Sequence, residues 1–261
     1  MMVLSLILTG LLGGFIGGLL GLGGGIIFVP FLFFIFHYFE MSISTTIQSA
    51  IVTSLACVIL SSASAVIKHQ KNGLIEWSVF GKTAPGIIIG SSLGLISLSL
   101  FSSGLARLVY SLLLICIAIY MIKKRTITKK HDFGSLQYVN SFSITVGLVS
   151  SFLGIGGGTL TTPYFHYHGY EMKKCIATAS ICGFCISFFG IIISGIMTSV
   201  AGIFNYNILN FLILDAFIII SLSSMVSSYY GASLTAKIKT EHLRLIFGYT
   251  LIIISIFIII Y

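Results

Sequence analysis

The segment Gly21-Leu22-Gly23-Gly24-Gly25, followed by Ile26-Ile27-Phe28-Val29-Pro30, lies within an apolar stretch from Val3 to Phe36. It recurs as Gly154-Ile155-Gly156-Gly157-Gly158, then Thr159-Leu160-Thr161-Thr162-Pro163. The first glycine and the proline share one offset, 154 − 21 = 163 − 30 = 133. A pattern this unusual, repeated half a chain apart, implies an internal duplication. Successive glycines strip a helix of propensity, and the proline removes a ladder donor, so a helix is expected to break at each copy. In lipid, irregular backbone is tolerated only against protein or a water-filled cavity. Broken helices at matching places of two halves point to a transporter's binding site. Bare N–H groups opening a half-helix favour an anion. The competing reading is that the glycines serve close helix packing.

Of 261 residues, 57% are hydrophobic and 8% charged, and the mean hydropathy is +1.10. Only a polytopic membrane protein has this composition. The net charge of +8 fits a positive-inside bias and attraction to anionic lipid. The basic residues are scattered among loops with no aromatic platform between them, which argues against a nucleic-acid partner. No basic segment or cleavage site precedes the first glycines, so the N-terminal stretch reads as a retained helix. The pair Cys182 and Cys185 has CxxC spacing but falls mid-span, where small packing residues are the simpler reading.

The expected fold is all-α, with about eight spans in two four-helix repeats: residues 1–122 and 136–261, joined by a basic hinge at 123–135. Spans 1 (3–36) and 5 (136–167) are broken at the glycines; the others are 45–67, 77–98, 106–122, 175–197, 208–234 and 243–261. Gly86, Gly90 and Gly94 find an echo 137 residues on, in Ser223, Ser227 and Gly231. An even number of spans per half predicts halves of equal orientation, a parallel repeat. On that topology Lys68, Lys71, Lys82, Lys123, Lys124, Arg125, Lys129 and Lys130 share the N-terminal side. Arg107, Lys173, Lys174, Lys237, Lys239 and Arg244 take the other. Both termini are then predicted to be cytoplasmic.

The candidate substrate ligands are the amides of Gly23, Gly24, Gly25, Gly156, Gly157 and Gly158, with the hydroxyl of Thr159 beside the second break. Thr161 and Thr162 are neighbours of the same kind. Gln48 and Ser49, with Thr45 and Thr46, make the start of span 2 polar, and Thr178 and Ser180 are their expected partners on span 6. The alternative for each hydroxyl is a bond back to its own helix. Asp215 reads as an intramembrane carboxylate and is the candidate coupling residue; its first-half counterpart, 215 − 137 = 78, is Ser78. His37, His166 and His168 lack the further ligands of a metal site. No nucleotide, nucleophile-elbow or metalloprotease motif is present, so neither an enzyme nor a cofactor is expected.

The two segments "GLLGLGGGIIFVP" and "SFLGIGGGTLTTP", each opening a half, resemble the TauE/SafE family of sulfite and organosulfonate exporters. The resemblance covers essentially the whole chain. It implies a bacterial-type inner-membrane carrier of small sulfur-containing anions and points to both glycine motifs with Pro30 and Pro163. Cys175 and Ile176 stand where the family implies alanine-like residues. The expected function is secondary transport of a small anion by alternating access, coupled to protons. The alternatives are an anion pore and a non-transport component of a sulfur-metabolising complex. The expected partners are the anion and lipid; the glycine faces would serve a homodimer or internal packing equally well.

Overall fold

The computed structural model describes residues 1–39, 43–97, 112, 115–116, 118–120, 122–123, 136–200 and 208–260. Most of span 4, most of the basic hinge and Arg107 therefore lie outside the described residues. The described residues form α1 (Met2–Leu20), α2 (Gly25–Tyr38), α3 (Ile43–Lys71), α4 (Trp77–Ser97), α5 (Leu136–Leu153), α6 (Gly158–Tyr167) and α7 (Met172–Val200). A 3-10 turn (Ile208–Phe211), α8 (Leu214–Thr235) and α9 (Thr240–Ile260) follow. Five of these helices are long and apolar enough to cross a membrane: α1, α3, α4, α7 and α8. The chain is a polytopic, all-helical membrane protein.

Helix packing rests on small residues. With lipid outside, close backbone approach replaces hydrophobic burial as the attraction between helices. Gly10, Gly14 and Gly18 of α1 meet Ser223, Ser224 and Ser228 of α8, and Thr235 Oγ1 donates to Leu19 O at 2.8 Å. Gly90 and Gly94 of α4 meet Ile144 and Leu148 of α5 in the same way. The two seams are copies. Gly231 faces Phe15 O and Gly94 faces Leu148 O, related by 231 − 94 = 137 and 148 − 15 = 133. The first helix of each half thus packs on the α4-type helix of the other, and the halves interlock. The second glycine face of α1 is also internal: Gly13 meets Phe28, and Gly17 meets Gly24.

These contacts fix helix directions, and they overturn the parallel-repeat expectation. Gly13 opposite Phe28 and Gly17 opposite Gly24 make α1 and α2 an antiparallel hairpin. Phe142 stacked on Tyr164, centroids 3.6 Å apart, makes α5 and α6 another. The glycines therefore turn the chain around, where a span that continues past its break was expected. The prolines lie inside α2 and α6 and do not mark the turn. α5 runs with α4, and α4 runs with α7, Glu76 meeting Thr178 and Ser91 meeting Gly190, so with α7 opposed to α3 and α1 the halves are inverted.

The remaining directions agree. α8 runs with α1, and with α3, whose Cys57 and Ser64 reach Phe217 O and Met225 O. α7 runs against α3, with Leu55 clustered near Ile191 and Ser62 near Gly183. Calling the end where α1 begins the first face, Lys68, Lys71, Lys82, Lys173, Lys174, Lys237 and Lys239 all fall at or within two turns of the second face. Among the described residues no Lys or Arg falls at the first face. The near-even split of charge expected from eight spans does not hold.

The seams give a direct test. A Cβ at Gly14 would stand 2.5 Å from Ser224 O, whereas one at Gly81 has nothing within 4 Å. Gly14→Val is expected to lower the melting temperature of the detergent-solubilised protein by several degrees, at a cost of about 1–3 kcal/mol. Gly81→Ala is expected to leave it unchanged or raise it slightly. A scanning fluorimetry comparison reads both.

Candidate functional site

Each glycine motif is a hairpin tip built from two helix caps. α1 ends with Gly21 in the left-handed region, φ 71°, its N–H bonded to Gly17 O, and Leu22 N–H donates to the same carbonyl at 2.9 Å. This is a Schellman closure, which glycine makes without steric cost. The copy has Gly154 at φ 72° and Ile155 N–H bonded to Ser150 O at 3.0 Å. Gly24 and Gly157, at φ 89° and 79°, then cap α2 and α6. The Gly24 carbonyl accepts from Ile27 and Phe28, and the Gly157 carbonyl from Leu160 and Thr161. The first-turn N–H groups of Gly25, Ile26 and Thr159 precede the helical ladder, as at any helix start.

The two tips meet. A Cβ at Gly25 would stand 2.4 Å from Gly154 O, and one at Gly158 would stand 1.9 Å from Gly21 O. Only glycine fits either place. Ser54 Oγ of α3 binds both tips, with Gly154 O at 3.0 Å and Gly25 O at 3.4 Å. Val58 lies against Gly23, Gly25 and Gly156 together, and Gly183 of α7 backs Gly156. Val58 and Gly183 sit near the mid-lengths of α3 and α7. The positive ends of the α2 and α6 dipoles therefore converge at the centre of the molecule.

Around the junction, buried hydroxyls lack hydrogen-bond partners among the described residues: Ser62, Ser150, Thr159, Thr162 and Ser187. Ser62 Oγ lies beside Gly23, and Ser150 Oγ lies 3.8 Å from a Cβ built on Gly157. An unsatisfied buried hydroxyl costs about 1–3 kcal/mol, so each is a donor in want of an acceptor.

The glycines and Thr159 are brought together as expected; the other sequence candidates are not. Thr178 Oγ1 accepts from Glu76 N–H at 3.0 Å, near the second face, where Lys174 pairs with Glu76 at 2.5 Å. Its counterpart is Thr53, which accepts from Ile213 N–H at 3.1 Å; 213 − 76 = 137. These threonines pin helix starts. Gln48 and Ser49 lie within one turn of Ile51, the α3 residue that meets Gly154, and Gln48 Oε1 is buried without a hydrogen-bond partner among the described residues. Thr161 and Ser180 bond back to their own helices.

Asp215 lies in the first turn of α8 and is exposed; Ile213, two residues before it, bonds Thr53, the neighbour of the tip-binding Ser54. The histidines also separate: His37 closes α2 at the first face, and His166 and His168 close α6 at the second. No group of three metal-ligating side chains occurs among the described residues. Sequence reading missed Ser54, Val58, Ser62 and Ser187. The signal was the pairing of Thr53, Cys57 and Ser62 with Thr178, Cys182 and Ser187 at a constant 187 − 62 = 125.

The model for "Sulfite exporter TauE/SafE" matches residues 6–258. The chain belongs to the TauE/SafE family. A probable membrane transporter protein of Haemophilus influenzae is 29% identical over 262 residues, covering 97% of each chain. One from Methanocaldococcus jannaschii is 29% identical over 256 residues, covering 97% of this chain and 93% of its own. One from Bacillus subtilis is 33% identical over 184 residues, covering 60% and 65%. No solved structure matches.

The tip contacts are expected to be visible in stability. Ser54→Ala should cost about 1 kcal/mol, the worth of one buried hydrogen bond. Gly158→Ala should cost more, because the Gly21 carbonyl must move to admit the methyl. Urea or thermal unfolding in one detergent ranks the two, and equal stability of Gly158→Ala and the unmodified protein would contradict the tip-to-tip contact.

Proposed function

We propose that this TauE/SafE family member is a proton-coupled secondary transporter that moves a small anion, sulfite or an organosulfonate, across the cytoplasmic membrane by alternating access. The observation that carries this reading is the convergence of two hairpin tips, one from each inverted half, each opening a helix toward the same buried point. Helix N-termini and neutral hydroxyls can replace the water around an oxyanion without trapping it as a lysine would. The anion sits at the tip amides of Gly23, Gly24, Gly25, Gly156 and Gly157, the Gly158 N–H being held by Gly156 O at 3.0 Å, with Thr159, Ser62 and Ser187 as hydroxyl donors. Rocking of the interlocked halves about the tips opens the site to one face at a time. Proteins reconstituted in liposomes are expected to take up labelled sulfite. Uptake should fall at least tenfold in the Thr159→Val, Ser62→Ala double variant, the loss of about 1.4 kcal/mol or more in binding. Full uptake by that variant counts against the site, and no uptake by the unmodified protein counts against the transport reading.

Orientation follows from charge. The lysines gathered at the second face make that face cytoplasmic by the positive-inside rule. Both ends of the described chain then face away from the cytoplasm, the reverse of the expectation from eight spans. In a protein freed of its own cysteines, Tyr38→Cys should react with an impermeant maleimide on intact cells. Lys237→Cys should react only after permeabilisation. The opposite pattern restores cytoplasmic termini.

A further inference from the structure

His69 is a buried titratable group that the transport site does not use. It lies in the last turn of α3, fully buried, and neither ring nitrogen has a hydrogen-bond partner. The ring stands against the Gly18 main chain, without hydrogen-bond geometry. Gly18 is in the last turn of α1, three residues before Gly21 and the first tip. Neutral imidazole carries one N–H and one lone pair, so here both a donor and an acceptor are left unmet. Imidazolium carries two donors and a charge. At this place it would meet the carbonyl end of the α1 dipole, where a cation is favoured.

The surroundings leave His69 as the group free to change charge. α1 contains no titratable side chain between Met2 and Leu20. α8 brings Tyr229 and Tyr230 to this end, with Lys68 Nζ 5.2 Å from the Tyr229 ring. α7 brings Lys173, bonded to Ala236 O at 2.7 Å, and Lys174, bonded to Glu76. Lys71 shares α3. Glu76 is held by Lys174, and Glu171, just before α7, lies near the same lysine. Nearby cations oppose protonation of His69, and an anion at the adjoining tip relieves that opposition.

We propose that His69 takes up the proton that travels with the anion, in place of the exposed Asp215. This rests on the transport site proposed above. A proton on a His69 nitrogen and an anion at the tips attract each other, and each raises the other's affinity by the same factor. The pair then crosses with one charge fewer than the anion alone.

Sulfite binding to the unmodified protein, His69→Gln and Asp215→Asn, measured across a pH series, tests this. Sulfite's own protonation is common to all three, so the difference between proteins reads the residue. Affinity in the unmodified protein and Asp215→Asn should gain up to about tenfold per pH unit on acidification relative to His69→Gln, the one-proton limit. His69→Gln should still bind sulfite and melt like the parent. A His69→Gln protein that keeps the parent's full pH dependence overturns the proposal. Trp77, the single tryptophan, donates to Gln70 Oε1 at 3.0 Å, next to His69, and gives a readout that needs no anion. Its fluorescence should change on acidification in the parent and not in His69→Gln. If sulfite fails to bind at any pH, the transport reading has failed. In that case the Trp77 titration still decides whether His69 protonates, and its persistence in His69→Gln rejects this role.

Discussion

Two hairpin tips touch through bare backbone, Gly25 against the carbonyl of Gly154 and Gly158 against the carbonyl of Gly21, and the rest of the molecule depends on that contact. Each tip needs glycine twice over. Left-handed backbone ends one helix and starts the next within four residues, and the missing Cβ lets the other tip approach. The result is irregular backbone at the centre of a membrane protein, which is tolerable only because protein surrounds it. α3 and α7 supply that surround. Their residues Ser54, Val58 and Gly183 close over the tips, and their Thr53 and Thr178 hold the starts of α8 and α4.

The interlocked seams explain how such a junction stays in register. α1 and α5 carry the tips, and each lies along a helix of the opposite half through glycines and serines spaced four apart. Displacing one hairpin means moving the other half's α4-type helix with it. The alternating access proposed above would run through concerted shifts about the tips. The same inversion gathers the lysines of the described residues at one face.

Much of this was legible in the sequence, and the errors have one source. The motif duplication, the membrane class, the family and the 137-residue echo of Gly90 and Gly94 in Ser227 and Gly231 all follow from residues alone. Whether Gly21–Gly25 kinks a helix or reverses it does not, because both outcomes want glycines followed by an apolar run. The reversal is decided by the pairing of Gly13 with Phe28 and Gly17 with Gly24, tertiary contacts with no sequence period of their own. From that one undecided turn came the parallel repeat. Thr178 and Ser62 illustrate the remaining gap. Both are buried hydroxyls on long apolar helices, and only packing tells which one binds a main-chain N–H and which is left without a partner.

The most direct measurement is anomalous diffraction from crystals soaked in selenite, the heavier analogue of sulfite. The account expects one strong selenium peak between the first-turn amides of α2 and α6, within hydrogen-bond reach of Thr159 and Ser62 and lost in the Thr159→Val, Ser62→Ala double variant. Peaks confined to the lysines of the second face, with none at the tips, would contradict it.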